Sequence, residues 1–348
     1  MPPDLDRRTY DLLRLIDRHG PIGSIQLFEL MQLYGYEIKD RTIRLTLSEL
    51  DELGLTEKVP GRGRRLTASG REELERGDIN SRLEEVRARI ATLSSRVSYD
   101  PIEDAGVLVG SAAFLSETDV DDAIAIVDRL ADLPLGPLRL AIEESSDDEP
   151  GDVRIIAASS ITLDGVLLAR GVNARITHAG IIEYDPIESA DEDDGVLERG
   201  GRIRRYVDVL NGEGSSIDVL SLLIEAGRTE IRPCIEANER GLVVGDSREF
   251  PINRFEEARD LAIATRQSLG GAIEFQRPRD DARLPSKTAP WAFGSITYVG
   301  PGELLMTVLS EYDLTDSWET LYGTVERSDL SVASPAGPSN RGEWTANL

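Results

Sequence analysis

The sequence predicts an α+β multidomain protein: an N-terminal winged helix-turn-helix followed by a mixed α/β ligand-sensing domain. Three observations carry that reading. Residues 5–67 set three helical patterns ahead of a glycine-tipped hairpin, residues 79–97 hold an apolar seam at heptad spacing, and strand and helix patterns then alternate to about residue 269.

At the start of the chain, Leu5, Leu12, Leu13, Leu15 and Ile16 share one face until Gly20-Pro21 breaks the pattern, predicting a helix over 5–19. A second helix runs from Ser24, an N-cap candidate, through Ile25, Leu27, Phe28, Leu30, Met31 and Leu33 to Gly35. The third opens at Asp40, whose carboxylate is placed to accept from free backbone N–H groups, and turns Ile43, Leu47 and Leu50 inward. Two short extended pieces, 55–59 and 64–67, are joined by Pro60-Gly61-Arg62-Gly63 and read as a wing. A helix in the major groove reads base edges, while arginines on a hairpin tip meet phosphates or the minor groove. The candidate DNA-binding residues are therefore Lys39, Arg41, Thr42, Arg44 and Ser48 at the third helix and Arg62, Arg64 and Arg65 on the wing, with double-stranded DNA the expected partner. The competing reading is a protein-docking module with solvated charges, a use winged helices also have.

Charge places this head in an unusual setting. The chain has 39 basic and 64 acidic residues, net −25; residues 1–93 hold 16 Lys+Arg against 17 Asp+Glu, net −1, leaving −24 for residues 94–348. Only Lys39, Lys58 and Lys287 are lysines. Heavy Asp and Glu with scarce lysine and few aromatics resembles the proteins of salt-accumulating halophiles, where an acidic surface holds water. In molar salt the Debye length is about 3 Å, so repulsion between the body and DNA is screened and base contacts must carry more of the recognition.

Composition bounds the remaining classes. No apolar run is long enough to span a membrane and no signal peptide precedes Leu5, so a cytoplasmic protein is expected. The single cysteine, Cys234, leaves no intrachain disulfide or cysteine-cluster zinc site, and reads as a buried cysteine on a strand over residues 230–237. His19 and His178 are the only histidines. No catalytic triad or metal-ligand spacing can be built from them, so the reading is of a non-enzyme without metal or cofactor.

Ile79, Leu83, Val86, Ile90, Leu93 and Val97 recur at alternating steps of four and three, the a/d spacing of a short coiled coil. This reads as a self-pairing helix, rather than a connector lying on its own domain, because a two-fold homodimer would present two recognition helices to a palindromic operator. The expected plan is a winged helix at 1–76, a linker and dimerisation helix at 77–100, an α/β domain at 101–325, partly antiparallel, and a disordered tail at 326–348. Two acidic insertions, at 145–152 and 189–201, interrupt the domain, and residues 278–301 carry no interpretable motif.

Two places in the domain could hold a ligand. One is Ala158-Ser159-Ser160-Ile161-Thr162, hydroxyls where a strand enters a short helix; the other is Asn211-Gly212-Glu213-Gly214-Ser215-Ser216-Ile217-Asp218, a flexible loop at a helix start. A helix N-terminus with free N–H donors suits a carboxylate or phosphate, although such a loop is more often simple capping. Neither matches a P-loop or a dinucleotide fingerprint.

The run Ser159-Ser160-Ile161-Thr162-Leu163-Asp164-Gly165-Val166-Leu167-Leu168-Ala169-Arg170-Gly171-Val172, then Ala179-Gly180-Ile181-Ile182-Glu183, then Gly212-Glu213-Gly214-Ser215-Ser216-Ile217-Asp218, resembles the regulatory domain of archaeal NrpR-type nitrogen repressors. These carry a winged helix related to that of ribonuclease R. The resemblance covers residues 5–275 with one regulatory domain; where the family tends to have Gly-Gly after the second strand, this chain has Ala179-Gly180. It implies a dimeric repressor of nitrogen-assimilation genes that 2-oxoglutarate releases from DNA. The effector residues it implies are Ser159, Ser160, Thr162, Arg175, Gly180, Gly214, Ser215 and Ser216. A different small anionic effector remains the alternative.

Overall fold

The computed structural model describes residues 5, 7–33, 36, 38–77, 79–146, 148–186, 201–211, 217–278, 291–315 and 317–332. Two units result, a head (Met1–Glu85) and a body (Val86–Leu348).

In the head, α1 (Arg7–His19), α2 (Ser24–Leu33) and α3 (Asp40–Glu52) bury Leu12, Leu13, Ile16, Leu27, Met31, Ile43, Leu47 and Leu50 against one another. The wing follows as β1 (Thr56–Val59) and β2 (Gly63–Leu66), antiparallel with Val59 opposite Gly63. Ile22 adds a third, one-residue rung by exchanging both backbone hydrogen bonds with Arg64 at 2.9 Å. Glycine is required at position 63, where φ is +108° and a Cβ would lie 2.0 Å from the Ile22 carbonyl oxygen. A fourth helix, α4 (Ala68–Gly77), was not expected; the Thr67 hydroxyl caps it by accepting from the Gly70 N–H. Asp40 does not cap α3 as expected. Lys39 is the N-cap residue, with no side-chain cap, and the Asp40 carboxylate turns outward to Arg44.

The heptad seam falls on α5 (Ile79–Arg96). Leu93 and Val97 are buried in the body's own core and Val86 and Ile90, half-buried, pack against it, so these four seam positions have partners within the chain; the side chains of Ile79 and Leu83 lie outside the described residues. The close approach is made at Gly165, whose missing Cβ would sit 2.4 Å from that of Val97.

The body is a duplication that the sequence reading did not identify. Its first half runs β3 (Val107–Leu115), α6 (Val120–Ala131), β4 (Arg139–Glu144), β5 (Val153–Ala158), α7 (Ile161–Ala169), β6 (Arg175–Asp185). After β7 (Arg202–Asn211), α8 (Ile217–Glu225) and α9 (Arg232–Ala237), the same order returns as β8 (Gly241–Pro251), α10 (Phe255–Leu269), β9 (Ala272–Gln276), β10 (Phe293–Val299), α11 (Pro301–Glu311), β11 (Ser317–Glu326). A short β12 (Ser331–Val332) ends the described chain. The two sheets are ordered β11-β3-β5-β4-β12 and β7-β6-β8-β10-β9. Within each, a βαββαβ unit takes the ferredoxin-like order of its strands, but with the fourth strand exchanged: β11 completes the first half's sheet and β6 the second's.

Among the described strands every neighbouring pair is antiparallel, where a partly parallel sheet was expected. The reason is that each crossover skips a place, so β3 and β4 run parallel with β5 antiparallel between them. The duplication shows in sequence as Gly106-Val107-Leu108-Val109-Gly110 and Gly241-Leu242-Val243-Val244-Gly245. Gly110 lies against Val325 of the exchanged β11 and Ile156, and Gly245 against Ile182 of the exchanged β6 and Val299, with no room for a Cβ at either.

Two further expectations change. Residues 232–237 are helical instead of extended, because Pro233 sits in the first turn and Asn238, at φ 55°, closes the helix; Cys234 is nonetheless buried. The chain also remains part of the fold beyond residue 326. Arg327 donates to both carboxylate oxygens of Asp104 at 2.7 and 2.6 Å, and Leu330 is buried. Residues 333–348 of the expected tail, and 189–200 of the second acidic insertion, lie outside the described residues.

Candidate functional site

Two regions hold the residues with chemistry to offer: the outer face of the head and a buried charged cluster in the body. On α3 the buried stripe of Ile43, Leu47 and Leu50 fixes which residues face out, because residues three and four apart share a face. Arg41, Arg44 and Ser48 are exposed and Thr42 is half-buried; Lys39 precedes them and is exposed. Arg44 is tied to Asp40, 2.7 Å away, but both side chains are largely in water, so the pair is worth little and opens readily to another anion. The Ser48 hydroxyl donates to the Arg44 carbonyl at 3.1 Å, leaving its lone pairs to accept from a base amino group.

The wing arginines have three different placements. Arg62 is exposed at the tip. Arg65 crosses the hairpin to Glu57 at 2.6 Å in an exposed pair. Arg64 instead folds back onto α3, where its guanidinium reaches both oxygens of Asp51 at about 3 Å and is only 15% exposed. The Thr56 hydroxyl donates to the same carboxylate at 2.7 Å. Arg64 is thus a strut between wing and recognition helix.

In the body, Ser159, Ser160 and Thr162 do meet, at the entry to α7, but all three are buried and their hydrogen bonds are taken. Ser159 donates to Glu303 at 3.2 Å, Ser160 to Asp246 at 3.1 Å, and Thr162 to the Val109 carbonyl at 3.0 Å. Glu303, in the first turn of α11, also accepts from the Ser160 backbone N–H. Arg248, wholly buried on β8, binds Asp246 at 2.5 Å, Asp164 at 2.8 Å and the Ser160 carbonyl at 2.9 Å. Two carboxyl groups therefore flank the guanidinium, with Glu303 as a third acid beside Ser160, and the three cannot all ionise without cost. Burial first, and then the neighbouring Asp246, push Glu303 up to about 7; burial likewise raises Asp164 despite Arg248. A pocket so closed, with carboxylates as its acceptors, is a poor host for a further carboxylate.

The other expected effector residues stand elsewhere. Arg175 is exposed at the start of β6, and Asn211, at the end of β7, pairs with His178 three residues along the same strand. The link from β7 to α8 thus leaves the sheet at the Arg175 end. Gly180 is buried on β6 and lacks room for a side chain, its Cβ position being 2.1 Å from the Asp208 carbonyl oxygen of β7. Gly214, Ser215 and Ser216 lie outside the described residues. Glu303, Asp246 and Arg248 were missed by sequence reasoning; the repeated Gly-x-x-Val-Gly motif ending at Gly245 was the signal that would have led to the last two. Among the described residues no group of three or more His, Cys, Asp or Glu side chains is arranged to hold a metal ion, and no helix is long and apolar enough to cross a membrane.

A winged helix with an exposed polar third helix, carried in one chain with a strand-exchanged α/β body, defines the class by its architecture: a winged-helix protein with a second, duplicated α/β domain. The family model for NrpR regulatory domains NRD1 and 2 matches residues 83–330, and the chain belongs to that family. The ribonuclease R winged-helix domain matches residues 10–74. A protein named global nitrogen regulator NrpRI, from Methanosarcina mazei, is 26% identical over 78% of this chain and 82% of its own length. Two proteins named global nitrogen regulator NrpR, from Methanocaldococcus jannaschii and Methanococcus maripaludis, are 25% and 27% identical, and the chain spans only 43% and 40% of their lengths. The solved structure of a nitrogen repressor-like protein from Methanococcus jannaschii has the same fold over 72% of this chain and 98% of its own, with a TM-score of 0.53 at 20% identity.

Proposed function

We propose that this chain is a dimeric repressor of nitrogen-assimilation genes that 2-oxoglutarate releases from a palindromic operator. The observation that carries the reading is the exposed face of α3, with Arg41, Thr42, Arg44 and Ser48 on a helix braced by a wing, in a chain whose body belongs to the NrpR regulatory family. The relatives named as nitrogen regulators support the physiological role.

For the effector, the hydrogen bonds that Ser159, Ser160 and Thr162 already make support a place away from the entry to α7. Arg175 is the cation we assign to one carboxylate of 2-oxoglutarate, together with Gly214, Ser215 and Ser216 on the link to α8. Effector binding then favours an arrangement of the dimer that no longer fits two half-sites, a shift requiring a few kcal/mol of differential affinity. Calorimetry of the full chain with 2-oxoglutarate in molar salt tests the site: saturable binding that Arg175→Ala weakens at least tenfold is expected. Absence of binding, or binding indifferent to Arg175→Ala and to the Ser215→Ala, Ser216→Ala pair, contradicts it.

A further inference from the structure

α3 contains four apolar side chains, and the head buries three of them. Ile43, Leu47 and Leu50 are 0–1% exposed, whereas Leu45 is 55% exposed. Leu45 lies four residues after Arg41 and three before Ser48, so the three side chains follow one another along the line of α3 opposite its buried stripe. Both neighbours on that line are polar and exposed.

On its line of α3 Leu45 is a single apolar group between an arginine and a serine, the head's other exposed large apolar side chains, Ile25 and Leu53, lying off that line, and one such group is too small a surface to dock a protein. The major groove of DNA, by contrast, presents one apolar group among its donors and acceptors, the thymine C5-methyl. We propose that Leu45 is a specificity-determining residue that packs on a thymine methyl in the operator, between base-edge contacts made by Arg41 and Ser48. This rests on the DNA-reading role proposed for the head. Such a contact suits the charge of this chain, because apolar packing is not lost when salt screens the phosphates.

The test uses the full chain and a duplex selected by it from a random-sequence library. Each thymine of that duplex is replaced singly by uracil, which lacks only the methyl, and affinities are read by fluorescence anisotropy. The wild-type protein is expected to lose about fourfold at one thymine, the worth of a buried methyl. Leu45→Ala should bind the thymine and uracil duplexes equally, with its dependence of affinity on salt unchanged, since no phosphate contact is removed. A wild-type protein indifferent to every replacement overturns the proposal, as does a Leu45→Ala variant that keeps the thymine preference. Failure of the library to yield any preferred sequence is a different result: it removes the DNA-reading role itself, and this inference with it.

Discussion

Arg64 illustrates how a residue's role follows from its partners. On sequence it belongs with Arg62 and Arg65 as a phosphate contact, but its fork is fastened to Asp51 at the end of α3, mostly out of water. Arg64→Ala should therefore weaken binding to specific and random duplexes alike by loosening the wing, and cost the head about 1.5–3 kcal/mol, the usual worth of a charge-assisted bond. Faster amide exchange across residues 55–66 in the variant is the expected sign; unchanged exchange with weaker binding would restore the direct phosphate contact. Arg44→Ala, whose surface pair with Asp40 is nearly neutral in energy, should leave exchange alone and weaken discrimination between specific and random DNA. Glu303 makes a prediction of opposite sign to most carboxylates. Its proton is held in the fold up to about pH 7, whereas the unfolded chain loses it near pH 4.5, so its contribution is complete below about pH 4.5 and is lost as pH rises through 7. The body should lose up to about 3 kcal/mol between pH 4.5 and 8 from this group. Glu303→Gln should flatten that slope, as measured by denaturant midpoints at constant salt.

At the scale of elements, the helices with regular apolar spacing and clear stops are legible: α1, α2 and α3 fall close to where periodicity puts them, and α7 and α8 begin where the runs at 159–162 and 211–218 place a helix start. What failed to show were elements whose pattern is broken by their own punctuation. Residues 278–301 carry no interpretable motif in sequence, yet Pro301 occupies the first turn of α11 and Gly302 lets that helix lie against Ser111 of β3. The spacing of α5 predicts self-pairing, whereas Val86, Ile90, Leu93 and Val97 pack on the body's own core, because spacing tells that a face is buried and not against what. Its packing is testable at Gly165, where Gly165→Ala should cost the body about 1–3 kcal/mol by overpacking against Val97. The double variant with Val97→Ala should recover part of that loss in a thermal melt. Additive losses would show that α5 does not rest on α7 as described.

At the scale of the molecule, the exchanged strands explain why the duplication escaped the eye: each half is completed by the other's last strand, so neither sheet is contiguous in sequence. The two halves also differ where it matters. Asp246-Ser247-Arg248 stands at the register of Ser111-Ala112-Ala113, so β8 carries a buried acid and arginine where β3 carries no charged residue. Around this core the body carries nearly all of the net charge of −25, and self-repulsion between those groups is relieved by salt. The melting temperature should accordingly rise steadily from dilute buffer to molar potassium chloride; a fall would argue against an acidic surface adapted to salt. The central claim, that metabolite binding to the body governs DNA reading by the head, is tested most directly by titrating the full chain onto its selected duplex in molar salt, with and without 2-oxoglutarate. The account predicts that saturating effector weakens the specific complex at least tenfold and leaves binding to random duplex little changed. Equal affinity for the selected duplex in the presence and absence of 2-oxoglutarate would contradict it.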